Sequence, residues 1–325
     1  MRAMPVAAAA AFIACLLALF VLLSEALRTR VLDQPNDRSL HARPVPRTGG
    51  VAILAGLALS AIWLPDDSLP LLWIALALGA ASFADDLAGL HPGLRLLMHL
   101  AAGACALWQL GLAEPGMLSL VLLLAVGWMT NLYNFMDGSD GLAGGMAVTG
   151  FGAYAAAAQA AGLPGLAELS LALAAANAAF LLFNFHPARV FMGDAGSIPL
   201  GFLAGALGVA GWHAGAWPLW FPALAFAPFV ADASLTLAKR LLRGEKVWQA
   251  HREHYYQRLV RMGLGHRRTA LAEYALMAAC AGAALGARTA PVAVQAGTVA
   301  AAALVLAALA VWIDRRWSAH PQAGA

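Results

Sequence analysis

Residues 115–141 read PGMLSLVLLLAVGWMTNLYNFMDGSDG. From Met117 to Tyr133 the stretch carries no charge, and a helix of about 20 such residues crosses the ~30 Å hydrocarbon core of a bilayer. Its end is of the opposite character, with Asn131, Asn134, Asp137 and Asp140 recurring at three-residue intervals. On a helical end this places Asn131, Asn134 and Asp137 along one face, with Asp140 just beyond. Acids and amides at membrane depth are costly, so a cluster of them at the end of an apolar span marks a functional candidate. The alternative is a polar helix end capped by Gly138 and Gly141. The order lacks the Asp-x-Asp-x-Asp-Gly pattern of a helical Ca²⁺ loop.

The rest of the chain repeats this plan. Of 325 residues, 62% are hydrophobic and 11% charged, whereas about 25% is usual for charged residues in soluble domains. Soluble, disordered and single-anchor architectures are excluded together. Apolar windows predict eleven spans, at 5–27, 48–64, 69–84, 94–111, 115–133, 138–159, 164–184, 197–215, 216–238, 269–286 and 291–313. The expected fold is an all-α, polytopic integral membrane protein of about eleven transmembrane helices, a single domain over 1–325 with a basic, His-containing loop at 239–268. Cys15, Cys105 and Cys280 lie far apart in apolar runs and fit neither a disulfide framework nor a thiolate metal site. The pairs Gly141/Gly145 and Gly201/Gly205 read as close helix contacts.

Basic residues near span ends stay on the cytoplasmic side. With the N-terminus outside and the C-terminus cytoplasmic, all of the 20 Lys and Arg except Arg2 and Arg288 fall on the inner face. That placement says more than the net charge of +3. The first span is not expected to be a cleaved leader, because its positive charge follows it at Arg28 and Arg30. The outer connections are short.

Four polar groups then fall on one face. Asp85 and Asp86 end the third span, and adjacent carboxylates call for a cation, a shared proton or acid–base work; a solvated cap is the plain alternative. The Asn131–Gly141 cluster offers hard oxygen ligands suited to Mg²⁺ or Mn²⁺. The stretch Asn184 to Ser197 holds Pro187, Gly193, Asp194 and Gly196, with Phe191 as an aromatic face for a nucleobase or as an interfacial anchor. His251 and His254, three apart, can share a helical face and present imidazole or imidazolium donors to phosphate; no thiolate and no HExxH order accompanies them. Asp232, late in the ninth span, reads equally as functional or as a partner of Lys239 or Arg240. Independent surface loops have no reason to converge in this way. The pattern describes an inner-face site for polyanions, most economically two phosphates neutralised by Mg²⁺ and Arg or His.

At these residues the chain resembles the polyprenyl-phosphate N-acetylhexosamine-1-phosphate transferases. The resemblance is carried in order by Asp33-Gln34-Pro35-Asn36, Arg38-Ser39-Leu40-His41, Pro46-Arg47-Thr48-Gly49-Gly50, Asp85-Asp86, Asn131 to Gly141, Pro187-Ala188 to Ser197, and the His251/His254 loop. It is closer to the bacterial branch that starts O-antigen and related surface polysaccharides than to the muramoyl-pentapeptide branch, whose corresponding loop has a denser run of histidines.

The resemblance implies transfer of a HexNAc 1-phosphate from a UDP-HexNAc to undecaprenyl phosphate at the bacterial inner membrane, with release of UMP and dependence on Mg²⁺. It implies metal positions at Asn134 and Asp194, and catalytic carboxylates at Asp85, Asp86, Asp137 and Asp140, the last two shared with the nucleotide pocket at Phe191. Donor contacts are expected from Asn131, Asn184, His251, Arg252 and His254, and phosphate contacts from His41 and Arg47. A homodimer is the expected assembly, and no nucleic-acid partner is expected. The competing class is a polytopic transporter, which would place polar residues at the midplane and on both faces.

Overall fold

The computed structural model describes residues 4–25, 32–33, 44–247 and 251–320. Each expected span coincides with helix. In chain order these are α1 (Met4–Leu22), α2 (Gly49–Ser60), α3 (Leu69–Ala88), α4 (Pro92–Gln109), α5 (Met117–Met136), α6 (Leu142–Ala160), α7 (Pro164–Asn184) and α8 (Asp194–His213). There follow α9 (Phe221–Ala225), α10 (Ala227–Leu242), α11 (Tyr255–Leu259), α12 (Gly265–Ala287) and α13 (Val292–Ser318). The fold is all-α and polytopic. Among the described residues the additions to the expected spans include the short α11 and a two-residue antiparallel ribbon, β1 (Leu32–Asp33) on β2 (Val45–Pro46), which sequence patterning does not announce.

Among the described residues, seven helices are long and apolar enough to cross a membrane, and α2 is a shorter apolar helix. The ninth span breaks into α9 and α10 around Phe226. Pro222 and Pro228 fall in the first turns of the two pieces, where a missing N–H costs least. Span ends also move: α3 runs past residue 84, so Asp85 and Asp86 lie in its last turn, and Gly89 closes it with φ +70°. Helix α8 begins at Asp194 rather than 197, placing a carboxylate where the helix dipole favours it.

Packing grades outward from α8. The α8 span is 89% buried, against 6% for α13, whose Leu304 and Val305 face outward as lipid-contacting residues would. Helix α8 lies close on α5: a Cβ on Gly201 would come within 2.7 Å of the Met129 carbonyl, and one on Gly205 within 3.0 Å of Val126 Cα. Gly145 likewise has the Tyr274 ring of α12 against it. Both glycine pairs thus serve close packing.

The start of α2 is docked by backbone. The Gly49 and Gly50 amides donate to the Phe191 and Met192 carbonyls at 2.9 and 2.8 Å, and the Phe191 amide donates to the Pro46 carbonyl. A Cβ on Gly50 would fall 2.2 Å from the Gly196 nitrogen. The Arg47-Thr48-Gly49-Gly50 segment is therefore fixed to the loop that carries Asp194.

Candidate active site

The ends of α3, α5 and α7 meet the starts of α2, α4 and α8 at one end of the bundle, and α10 packs against α5. Asp194 is the hub. Asn134, in the last turn of α5, donates through Nδ2 to Asp194 Oδ1 and to Ser197 Oγ, both at 2.9 Å. Arg47 and Arg95 each bring a guanidinium nitrogen to 3.9 Å from the Asp194 carboxylate. Arg95 also holds Asp85, with Nε 2.6 Å from Oδ2 and the Leu90 amide donating to Oδ1 at 2.6 Å.

The two adjacent carboxylates are thereby differentiated. Asp85 is 3% exposed and fully engaged, so it fixes Arg95 and the α3–α4 turn. Asp86 takes a hydrogen bond from the Ala195 backbone, while its Oδ2 is buried without a hydrogen-bond partner. That oxygen lies over Gly193, next to Asp194, where a Cβ would stand 3.6 Å from it. A buried orphan oxygen beside a carboxylate, a hydroxyl and an amide is a hard-oxygen donor set. Among the described residues no group of three or more His, Cys, Asp or Glu is arranged to hold a metal. Mg²⁺ commonly takes only one or two carboxylates, with water and substrate phosphates completing the shell, so Asp194, Asp86 and Ser197 fit that ion, and Asn134 would join them with its amide turned to present Oδ1.

A second group centres on Asp140, buried in the turn after α5. Its Oδ2 lies 2.6 Å from His186 Nδ1 and accepts from the Ala188 amide at 3.1 Å. His266, from the start of α12, stacks on His186 with centroids 5.4 Å apart and reaches Ser139 Oγ at 2.8 Å. Asn184 ties this group to the first: its Oδ1 accepts from the Gly141 amide and its Nδ2 donates to the Val190 carbonyl, both at 2.9 Å. At 3% exposed, Asn184 holds two loops together and does not face outward. The half-buried Phe191 stands on the loop it holds.

The third group is the loop before α11. His251 and His254 are not on a helix, as their spacing suggests, but in irregular chain, with rings 4.8 Å apart. Burial, the neighbouring His254 and Arg240 push the His251 imidazole down to about 4. It is neutral at neutral pH, and its Nδ1 accepts from the Glu253 amide at 3.3 Å. Arg252, half-buried beside it, accepts at its carbonyl from Arg261. His254 is buried with Nδ1 3.1 Å from Asp232 Oδ1, so Asp232 partners this loop rather than Lys239 or Arg240.

The structure thus brings Asp85, Asp86, Asn134, Asp194 and Arg47 into one cluster, with Asp137 capping α5 beside it. Asp140 and Asn184 adjoin through the 137–141 turn. Asn131 lies a turn deeper, donating to the Gly127 carbonyl at 2.8 Å, against His99 of α4. His41 lies outside the described residues. Arg95, in the sequence only one of the basic residues expected on the inner face, joins the cluster through Asp85 and Asp194. A basic residue one turn inside an apolar helix, ten positions after an acid pair, is the signal that finds it.

The fold and this site define a polytopic membrane enzyme of the phosphosugar transferase class. Residues 68–211 match the model of glycosyl transferase family 4. The chain is 29% identical over 270 residues to a probable undecaprenyl-phosphate N-acetylglucosaminyl 1-phosphate transferase of Bacillus subtilis (strain 168), covering 77% of this chain and 75% of the relative. It is 27% identical over 280 residues to the undecaprenyl-phosphate alpha-N-acetylglucosaminyl 1-phosphate transferase of Yersinia pestis, covering 77% and 74%. A phospho-N-acetylmuramoyl-pentapeptide-transferase of Moorella thermoacetica is 35% identical over 196 residues, covering 50% and 60%. The chain is thus similar over most of its length to polyprenyl-phosphate N-acetylhexosamine-1-phosphate transferases.

Proposed function

We propose that this protein transfers a HexNAc 1-phosphate from a UDP-HexNAc to undecaprenyl phosphate, releasing UMP and starting O-antigen or a related envelope polysaccharide. The observation that carries the reading is the hub at Asp194, where Asn134, Asp86, Arg47 and Arg95 gather at one end of a lipid-facing bundle. We place that end at the cytoplasmic face of the bacterial inner membrane, with eleven crossings and the N-terminus outside. This topology keeps the basic residues inside. The whole chain then acts as one domain, with a homodimer as its assembly.

Chemically, an oxygen of the acceptor phosphate attacks the β-phosphorus of the donor. A P–O bond forms there, and the bond to the bridging oxygen breaks as UMP leaves. The acceptor is already an anion near neutral pH, so charge neutralisation and in-line positioning matter more than a strong base. Arg47 and Arg95 face the gathering negative charge. Asp85 orients Arg95, and Asp86 and Asp194 offer oxygens for Mg²⁺, which when bound neutralises diphosphate oxygens. Asp137, Asp140 and Phe191 receive the nucleoside, and the His251–His254 loop covers the sugar-diphosphate half. The favoured course is direct attack without an aspartyl-phosphate, and trapping a radiolabelled phospho-enzyme after donor alone would overturn it.

The test is UMP release by purified protein with undecaprenyl phosphate, Mg²⁺ and a panel of UDP-HexNAc donors that includes UDP-MurNAc-pentapeptide. Release with one simple UDP-HexNAc supports the reading. Turnover of the pentapeptide donor alone moves the chain to that branch, and no release with any donor returns it to the transporter class.

A further inference from the structure

One buried carboxylate outside the Asp194 hub organises a different part of the site. Asp232, on α10, is 7% exposed and accepts four hydrogen bonds. Its Oδ1 takes the Thr236 hydroxyl at 3.1 Å and the Tyr255 amide at 2.9 Å, and lies 3.1 Å from His254 Nδ1. Its Oδ2 takes the Tyr256 amide at 3.0 Å. Three of the four partners belong to consecutive residues of the His251–His254 loop and the start of α11. Both oxygens are used inside the protein, so the carboxylate holds chain rather than ligand. The bond to Nδ1 also sets the His254 tautomer, leaving Nε2 for other contacts.

The loop held in this way is pressed onto the end of α5. The Tyr256 hydroxyl donates to the Phe135 carbonyl at 3.3 Å, and the His254 ring stacks on Phe135 with centroids 6.4 Å apart. Gly138 is in contact as well, since a Cβ there would fall 2.2 Å from the Tyr256 hydroxyl. A continuous link therefore runs from Asp232 through residues 254–256 to residues 135–138, between Asn134 and Asp140. We infer that Asp232 is a positioning residue for transfer: it sets the His251–His254 loop in register with the α5 terminus, so that the donor's sugar-diphosphate half is gripped from both sides. This rests on the transferase reading above.

Asp232→Asn keeps the volume but turns an NH₂ toward a backbone N–H or His254. The expected result is a donor KM raised about tenfold, with the KM for undecaprenyl phosphate within about twofold of the parent. Backbone hydrogen exchange should rise in residues 251–259 and stay unchanged in α8. Tyr256→Phe removes only the hydroxyl link to Phe135; it should raise the donor KM alone, by a smaller factor. The double variant should match Asp232→Asn within about twofold, because both act through one link. Equal rises in both KM values, multiplicative single effects, or unchanged exchange in 251–259 would overturn the inference. Should Asp232→Asn not fold, the donor-only KM rise in Tyr256→Phe decides. Were the parent to show no transfer with any donor, the functional reading would fail, while the exchange measurement would still decide the role of Asp232.

Discussion

Asn134 donates to Asp194 across 2.9 Å, joining two residues 60 apart in sequence and the ends of two different helices. The amide at the close of α5 and the carboxylate at the start of α8 form a single unit, on which Arg47 and Arg95 converge.

Removing the charge from that unit should stop the chemistry while sparing the fold. Asp194→Asn is expected to lower transfer at least ~100-fold at saturating Mg²⁺, as loss of charge stabilisation at a reacting phosphoryl group does. UMP release, measured beside the thermal unfolding midpoint, checks it; near-parental turnover would exclude the hub role.

Arg95→Gln should act through Asp85. Removing one partner of a buried ion pair costs ~3–5 kcal/mol. Because Arg95 is itself 38% exposed, we expect a smaller loss of roughly 1–3 kcal/mol. Denaturant unfolding reads that loss, and the acceptor KM should rise with it. An unchanged midpoint with normal acceptor kinetics would mean that Asp85 is held in some other way.

Gly50→Ala tests the backbone docking of α2. With the Gly196 nitrogen 2.2 Å from the new Cβ, the clash is with backbone that cannot rotate away. Destabilisation at the upper end of the ~1–3 kcal/mol of overpacking is expected, together with reduced turnover as the Asp194 loop shifts. Thermal melts and UMP release of Gly50→Ala beside Gly282→Ala, where a Cβ meets open space, give the comparison.

The pH dependence should carry the mark of His251. Its folded value of about 4 lies below its ordinary 6.5, so the stability tied to its neutral form is full above about pH 6.5 and is lost as pH falls through about 4. His251→Gln should therefore unfold at a nearly constant offset from the parent above that range and gain on it toward pH 4. Melting curves of both proteins from pH 4 to 8 check this, and a parent–variant offset that changes between pH 7 and 8 would contradict it.

Much of this was legible in the sequence, for reasons of solvent. Lipid tolerates few polar groups, so the apolar windows mark the helices and the remaining acids and amides mark the candidate site, where Asn134 and Asp194 meet and Asp137 caps α5. What stayed hidden depends on contacts between distant segments. Asp232 meets residues 254–256 across an irregular loop with no periodic pattern to reveal it, and His186 meets His266 only because α12 returns to the turn after α5. The split between Asp85 and Asp86 was equally unreadable, since it depends on which of the two Arg95 reaches. Helix periodicity also misled at His251 and His254, where the chain is not helical.

The burial of α8 has a consequence for how the membrane influences the enzyme. Helices surround α8 nearly completely, so acyl chains scarcely touch the element that carries Asp194. Bilayer thickness and fluidity then act on outer helices such as α13 and on delivery of the polyprenyl substrate, while the reacting geometry stays insulated. Changing the host lipid should therefore move the apparent affinity for the lipid acceptor and leave the maximal turnover nearly constant.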